Sequence, residues 1–413
     1  MKRYITLIIC LSAFIIFGCI TDYTLKGVKE GDGILVVSGI ISDDETFITL
    51  KWSLPLTSDD PVYTTYIDDA DVAVECDDGT RFPAEAPAPD DESRKGRYMI
   101  RTGKLNPALQ YRLKVEIQEK GAKYEYYSDY LHPNITPEID SVFWTKEARG
   151  EPVVIRLATH APDSAILYYQ WSYLEEWEIV SKNWSEFFPY YCWNNERNSD
   201  LLLASTENMD FGKVVNIITE VSPYSKKLET LYRITINQNV ISKRAYDYFE
   251  NIKKNAEQTG SIFAPIPSEL RGNIACATDP QKLAIGFVDV STTSKKNIFI
   301  DYFDGAFEYR YDDCAVIEFP IEDLAIGPVI PDSLNYYTIF SVKCWPNPCL
   351  DCWDEVYWYE ICRDGECWDE FYLEEVCQQI IFGDPCFTVI PKDCVDCTYY
   401  GTTKKPENWP NNH

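Results

Sequence analysis

Short runs of β-branched and alternating apolar residues recur along the chain and predict a mainly β protein. The first segment begins with ILVVSGII at 34–41 and TFITLKW at 46–52, and the acidic stretch 42–45 separates the two runs. Runs of this length and composition, bounded by turn residues, are typical of strands. We therefore predict an immunoglobulin-like β-sandwich over 34–135.

Two local signals support this prediction. Asp78-Gly79 lies between apolar runs, where a tight turn between strands is expected. Tyr111 begins the alternating run YRLKVEI shortly after Leu105 and Pro107, an arrangement that resembles the tyrosine corner of immunoglobulin-like sandwiches. The hydroxyl group of Tyr111 is therefore expected to fasten one strand to the chain just before it, which is a structural role.

A second, mainly β domain, also an immunoglobulin-like β-sandwich, is predicted over 137–340, after the proline-containing stretch HPNITPEID at 132–140. One helix is expected inside it, over 243–259, as an insertion. Ser242 is a plausible N-cap, Gly260 ends the run, and the apolar positions Ala245, Tyr248, Phe249, Ile252 and Ala256 have helical spacing.

The N-terminus has the features of a lipoprotein signal peptide. Lys2 and Arg3 precede a short apolar run that ends at Gly18-Cys19. A small residue directly before a cysteine resembles a bacterial lipobox, so we predict a signal peptide over 1–18, lipidation of Cys19 and a polar tether over 19–33. The alternative is an ordinary signal peptide in which this cysteine is incidental.

The net charge argues against nucleic-acid binding. The chain has 66 acidic and 38 basic residues, a formal charge of −28, and removal of 1–18 takes away two basic residues and leaves −30. Nucleic-acid affinity depends on Lys and Arg side chains that neutralise phosphates. The same charge disfavours close contact with an anionic leaflet.

Cysteine content predicts disulfides in an exported protein. Of 15 cysteines, 13 remain when Cys10 of the signal segment and the lipidated Cys19 are set aside. Because 13 is odd, at least one thiol has no disulfide partner within the chain. We expect a disulfide-rich, acidic C-terminal region over 341–413.

That region contains an eleven-residue sequence repeat, CWDEVYWYEIC and CWDEFYLEEVC, whose two copies flank RDGE. A two-residue hairpin turn at Asp364-Gly365 would place Cys362 opposite Cys367 and Cys352 opposite Cys377, both at disulfide distance. The same register opposes several acids, so a cation, a basic partner or a simple solvated acidic knob are alternatives.

A zinc site is a further alternative for these cysteines. The pairs Cys349-x-x-Cys352 and Cys394-x-x-Cys397 have the internal spacing of zinc ligands. The hairpin disulfide and a zinc site exclude each other because both need Cys352. An oxidising compartment favours the disulfide, so no metal or cofactor is predicted.

Aromatic residues supply the candidate binding surface. The chain has 11 Trp, 29 Tyr and 19 Phe, and exposed aromatic side chains can stack on sugars or anchor a protein partner. The alternative is that they fill a β-sandwich core. The candidate tryptophans are Trp171, Trp177, Trp184, Trp193, Trp353 and Trp368.

Signals for catalysis are weak. The chain has three histidines and lacks nucleophile-elbow, P-loop and dinucleotide motifs. A glycosidase needs only two carboxylates, and Glu175, Glu176 and Glu178 beside Trp171 and Trp177 are the region where such a pair would be sought. We assign no catalytic residue.

Several long stretches resemble a family of Bacteroidota lipoproteins of unknown function. They are YYQWSYLEEWEI, the tract from Leu231 to Asp279, GFVDVS and the closing CVDCTYYGTTKKPENW. The resemblance covers nearly the whole mature chain. Unlike its relatives, which carry one Cys-x-Asp-Cys, this chain has CLDC and CVDC on either side of an insertion.

The resemblance implies a function. Members are typically encoded beside TonB-dependent outer-membrane receptors, so we expect a non-enzymatic, surface-exposed lipoprotein that assists such a β-barrel transporter and could bind a glycan or peptide. A structural or assembly component without a small ligand is the alternative, and a surface hydrolase is a third. A pocket lined by Trp177 and acids would favour binding or hydrolysis, whereas a flat apolar patch would favour assembly.

The hairpin predicts a specific disulfide map. Peptide mapping of the non-reduced protein is expected to find Cys362 linked to Cys367 and Cys352 linked to Cys377, because the register places these pairs opposite each other. Full alkylation of all four cysteines in the native protein would contradict the prediction.

Overall fold

A computed structural model describes 33–53, 65–87, 94–119, 121–162, 165–181, 189–198, 200–207, 212–258, 272–308, 317–320, 337–343, 386–391, 394 and 396–410. The predicted signal peptide, the lipidation site Cys19, nearly all of the tether and the hairpin 352–377 lie outside these residues. Among the described residues, no helix has the length and apolar character needed to cross a membrane.

The described residues are mainly β, as predicted, with one α-helix, α1 (Lys243–Gln258). In chain order the strands are β1 (Leu35–Ile41), β2 (Asp44–Trp52), β3 (Thr65–Tyr66), β4 (Asp71–Cys76), β5 (Arg81–Glu85), β6 (Arg97–Gly103), β7 (Tyr111–Glu119), β8 (Ala122–Ser128), β9 (Ser141–Thr145), β10 (Val153–His160), β11 (Tyr168–Val180), β12 (Tyr191–Arg197), β13 (Leu202–Ser205), β14 (Lys213–Val221), β15 (Leu231–Ile241), β16 (Ile274–Cys276), β17 (Ala284–Ile285), β18 (Asp289–Val290), β19 (Thr293–Asp301), β20 (Ile317–Pro320), β21 (Tyr337–Lys343) and β22 (Cys386–Pro391).

The chain forms two units, and the first is discontinuous in sequence. Unit 1 contains Met1–Thr136 and Val240–Thr293, and unit 2 contains Pro137–Asn239 and Ser294–His413. The prediction of one continuous domain over 137–340 that carries the helix is therefore corrected. Helix α1 belongs to unit 1, because the chain after it supplies strands that pair with β1 and β8.

Unit 1 is built on one sheet that nearly closes on itself. Its eleven strands run in the order β16-β8-β7-β4-β5-β6-β2-β1-β17, with β18 also on β1 and β3 on β2. Strands β17 and β18 are parallel to β1, and β16 is antiparallel to β8. The returning segment thus covers both edges of the sheet, which otherwise expose unpaired backbone groups.

Asn273 joins the two ends of this sheet. Its backbone N–H donates to the carbonyl of Gly286 (3.2 Å), and its carbonyl accepts from the N–H of Asp129 (3.1 Å). Its side-chain amide donates to the carbonyl of Val288 (2.8 Å) and accepts from the Val288 N–H (2.9 Å). The buried side-chain amide of Asn273 therefore forms two hydrogen bonds with the Val288 backbone, as the backbone of a neighbouring strand would do.

Helix α1 packs where the two ends of the sheet meet, a contact that we call the seam. The hydroxyl of Ser242 accepts from the N–H of Ala245 (3.3 Å), which confirms Ser242 as the N-cap. The ring of Tyr248 lies 5.8 Å from that of Phe287. The buried carboxylate of Asp289 accepts from the N–H of Ser242 (2.6 Å). Burial raises the pKa of Asp289 above its ordinary value, and its hydrogen bonds oppose that shift only in part.

Two other sequence predictions for unit 1 are confirmed. The hydroxyl of Tyr111 accepts from the backbone N–H of Asn106 at 2.7 Å, so it fastens β7 to the chain before it. Gly79 forms the turn between β4 and β5 with a φ of 91°, a left-handed conformation that favours glycine.

Unit 1 also contains two reduced cysteines. Cys76 and Cys276 are both buried and free, in agreement with the expectation that at least one thiol is unpaired. Burial, and after it the nearby Asp78 and Asp77, raises the pKa of Cys76 to about 11. Because the thiolate is the reactive form, this thiol is expected to be inert in the folded protein.

Unit 2 contains a five-stranded sheet, β12-β11-β15-β19 with β13 on β11, and a three-stranded sheet, β14-β10-β9. Gln238 of β15 connects the two. It accepts from the indole N–H of Trp171 (2.9 Å) and donates to the hydroxyl of Thr159 on β10 (3.1 Å). A further small sheet, β20-β22-β21, places Lys343 opposite Cys386.

The seam of unit 1 predicts an unusual sensitivity at Gly272. A Cβ at this position would lie 1.6 Å from the carbonyl oxygen of Gly286, so Gly272→Ala requires the seam to separate. We expect a loss of about 3 kcal/mol or more in the free energy of unfolding, measured by chemical denaturation. The control is Gly121→Ala, which has open space and a φ of 83°, and should cost only about 1–2 kcal/mol. Equal losses would contradict this account of the seam.

Candidate functional site

Strand β11 brings together the carboxylates that the sequence singled out. Glu175, Glu176 and Glu178 are all buried. Because side chains alternate along a strand, Glu175 lies on one face of the sheet with Trp177, and the other two acids lie on the opposite face. Buried carboxylates need charged or hydrogen-bonding partners, and the partners decide whether these acids are available for chemistry.

On the first face, one lysine neutralises two opposed acids. Glu175 lies directly opposite Glu196 of β12. The ammonium group of Lys227 donates to both, at 2.7 Å and 2.6 Å, and Tyr232 donates its hydroxyl to Glu175 at 2.7 Å. Burial lowers the pKa of Lys227, but its hydrogen bonds to the two glutamates outweigh that effect and leave the pKa raised. The same ammonium lies 4.9 Å from the ring centroid of Trp177.

On the opposite face, the acids bind side chains from β15 and from the C-terminal end. Arg233 donates to Glu176 (2.8 Å) and to the carbonyl of Glu407 (2.8 Å). The indole N–H of Trp409 donates to Glu178 at 3.3 Å. These acids are therefore engaged in holding the structure together rather than presented to a substrate.

The C-terminal residues 396–410, here called the C-terminal clasp, are fixed to the edge strand β12. Cys397 forms a disulfide with Cys192, with Cα atoms 5.6 Å apart. Thr402 pairs with the backbone of Trp193 through two hydrogen bonds of 2.8 Å. Asn194 donates its side-chain amide to the carbonyl of Tyr400 at 2.6 Å. The clasp thus covers the edge of the five-stranded sheet.

Disulfides exclude the zinc alternative for Cys394 and Cys397. Cys397 is bonded to Cys192, and Cys394 is also in a disulfide. A disulfide sulfur cannot act as a thiolate ligand. Within the part of the chain that the structure describes, no group of three or more His, Cys, Asp or Glu residues is placed to hold a metal ion.

The tryptophans predicted to form a binding surface do not do so as a group. Trp171 is 1% exposed and donates to Gln238, and Trp177 is buried beneath Lys227, so both belong to the core. Trp193 is half-buried against the clasp. The prediction is corrected for the first two, because β11 is covered on both faces. The other three, Trp184, Trp353 and Trp368, lie outside the described residues.

Apolar side chains are exposed instead on the outer face of the three-stranded sheet. Ile217 of β14 and Phe143 of β9 both lie opposite Arg156 of β10, so the three side chains share one face. Val215 lies opposite Ala158 on the same face. Val215 is 55% exposed and Ile217 45%. We call Phe143, Arg156, Val215 and Ile217 the outer row.

The outer row is not among the residues predicted from the sequence. Its signal there is the run VVNIITEV in β14, which has apolar side chains on both faces of the strand. Lys227 and Arg233 were missed as well, because ion-pair partners distant in sequence leave no local pattern.

The described residues define a mainly β chain with one nearly closed sheet and a five-stranded sheet that the C-terminal clasp covers at one edge. The model of a domain of unknown function, DUF4249, matches residues 20–297. The chain therefore belongs to the DUF4249 family. Among curated proteins, no match to the chain is found.

The ion pairs of β11 make a testable prediction. Lys227→Met leaves Glu175 and Glu196 facing each other without a cation, and we expect a loss of about 3 kcal/mol in the free energy of unfolding. Adding Glu175→Gln removes the buried charge and should restore more than half of that loss. Chemical denaturation followed by tryptophan fluorescence measures both.

The matched control is Lys226→Met. This neighbouring ammonium lies 3.7 Å from the ring centroid of Tyr400, and removing it should cost less than about 1 kcal/mol. A double variant as unstable as Lys227→Met alone would show that the carboxylate charge is not the cause.

Proposed function

We propose that the protein is a lipid-anchored outer-membrane protein, exposed at the cell surface, that acts as a non-catalytic binding accessory of a TonB-dependent β-barrel transporter in nutrient uptake. The observation that carries this proposal is the outer row. Exposed apolar side chains grouped around an arginine are typical of protein interfaces, in which aromatic residues and arginine are enriched. The transporter as the partner is supported by the resemblance to Bacteroidota lipoproteins.

The engagement of the β11 acids supports a non-catalytic role. A glycosidase needs one carboxylic acid and one carboxylate that reach the substrate. Glu175 and Glu176 are instead held by Lys227 and Arg233 within the core. Among the functions considered from the sequence, this arrangement favours a binding protein over a hydrolase.

The anchor and the charge support the location. Acylation of Cys19 with two or more chains would give stable membrane attachment, since each buried methylene contributes about 0.8 kcal/mol. The formal charge of −30 that remains after removal of 1–18 would keep the body away from anionic lipid. We further propose that unit 1 is an immunoglobulin-like domain, which the Tyr111 bond supports, and that a glycan or peptide is the cargo.

Purification of the tagged protein from native outer membrane in mild detergent tests the proposal. We expect a TonB-dependent barrel in roughly equal amount, identified by mass spectrometry. Val215→Ser with Ile217→Ser should reduce the recovered barrel, because the outer row loses its apolar contact area.

The control is Ile135→Ser, which removes an exposed apolar side chain of unit 1 outside the outer row. It should leave barrel recovery unchanged. Recovery of the wild-type protein alone would contradict the proposal. Recovery with other outer-membrane proteins but no transporter would favour the assembly-component alternative.

A further inference from the structure

A short turn of unit 2 presents two aromatic side chains to solvent. Tyr302 and Phe303 lie in a 3-10 turn, Tyr302–Asp304, directly after β19. Phe303 is 91% exposed and Tyr302 is 51% exposed. Their rings contact each other edge to face with centroids 5.5 Å apart. We call these two residues the aromatic tip.

The backbone of the aromatic tip is fixed by its neighbours in sequence. The carboxylate of Asp301 accepts from the N–H of Phe303 (3.0 Å), and the carboxylate of Asp304 accepts from the N–H of Asp301 (2.8 Å). Gly305 ends the turn with a φ of 75°. The two acids thus form a reciprocal cap on either side of the exposed ring. A turn whose backbone is already ordered loses less entropy when its side chains bind a partner.

The turn is also fixed to the end of the three-stranded sheet. Lys146, directly after β9, pairs with Glu308 at 2.5 Å and donates to the carbonyl of Ala306 at 3.1 Å. Glu308 in turn accepts from the N–H of Gly150 through both carboxylate oxygens and donates its own N–H to the carbonyl of Pro223 (2.7 Å). The Lys146 ammonium, with the Gly150 hydrogen bond, lowers the pKa of Glu308.

The loops that hold the aromatic tip lie at one end of the three-stranded sheet, where β9 and β14 end and β10 begins. Phe143 and Ile217 of the outer row are the central residues of β9 and β14, so the outer row lies in the middle of the same sheet. Loops grouped at one end of a rigid β scaffold and carrying exposed tyrosine and phenylalanine are typical of protein-binding surfaces.

Acidic groups predominate around the aromatic tip. Asp301 and Asp304 flank it, and Glu147 and Glu151 are exposed in the loop between β9 and β10. The basic side chains of these segments are Lys146 and Arg149, both beside Glu308. The adjoining segment 223–230, which bonds to the turn through Thr230 and Pro223, adds Lys226 and Lys227 against Glu229, and acids remain in the majority. A net negative surround opposes insertion into an anionic leaflet and favours a partner surface with basic groups.

We propose that the aromatic tip is a docking anchor for a protein partner whose surface offers an apolar pocket rimmed by lysine and arginine, with Phe303 as the side chain that enters the pocket. This inference rests on the proposed function, since the partner is the barrel that the protein would assist. A ring that projects outward from a rigid turn fits a concave partner, and aromatic anchors in pockets contribute most to interface affinity.

Site-specific photo-crosslinking in cells tests the assignment directly. A photoreactive phenylalanine analogue is placed at position 303, and at Tyr66 of unit 1 as an exposed control. After irradiation, an adduct with the transporter barrel is expected from position 303 and none from position 66. A lipid adduct, an adduct with any other protein, or no adduct at 303 would overturn the inference.

Quantitative recovery of the barrel provides the second measurement. Phe303→Ala should weaken it at least about tenfold, and Phe303→Trp should retain it, because the pocket needs an aromatic ring. Glu147→Lys with Glu151→Lys should also weaken it, whereas Glu207→Lys, an exposed acid outside these loops, should not. Far-UV circular dichroism confirms that each variant is folded.

The two proposals fail in different ways. If the wild-type protein recovers no barrel, the proposed function is contradicted. If the wild-type protein and Phe303→Ala recover it equally, the transporter partnership stands and the aromatic tip is not its anchor.

Discussion

The open edges of β-sheets are the constraint on which this structure depends. Each edge carries backbone N–H and C=O groups that need partners, and an open edge invites pairing with another chain. Unit 1 satisfies this need by bringing β16 and β17 to opposite edges of one sheet, where Asn273 bridges them with four hydrogen bonds. Glycine at 272 lets its backbone approach Gly286, and glycine at 286 lets its backbone approach Val37 of β1. Helix α1 then covers the seam.

Unit 2 meets the same need by a covalent route. The C-terminal clasp pairs with the edge of β12 and is tied there by the Cys192–Cys397 disulfide. A cross-link between residues 205 positions apart restricts the unfolded chain strongly, by about 5 kcal/mol in the loop-entropy treatment. The clasp also brings Trp409 to Glu178 and the Glu407 carbonyl to Arg233, so it completes the set of partners for the acids of β11.

Structure that depends on residues close together in the sequence could be predicted, whereas contacts between residues far apart in the sequence could not. The β class, the hydrogen bond of Tyr111 and the cap at Ser242 depend on residues close together in the chain, and each is confirmed. The unit to which α1 belongs depends on β17 and β18, which have two residues each and therefore carry no periodic signal. The burial of Trp171 follows from coverage of β11 on both faces, which its own sequence does not reveal.

The discontinuity of unit 1 has a consequence for biogenesis. Residues 137–239 separate the first eight strands from the segment that seals them, so unit 1 acquires its last strands only after this part of the second unit has been synthesised. Contacts at such large sequence separation form slowly, because a long loop must close first. Until that segment is made, β1 and β8 each keep one unpaired edge. A holding chaperone that shields strand edges would thus be most needed in the interval between the emergence of β8 and that of β18.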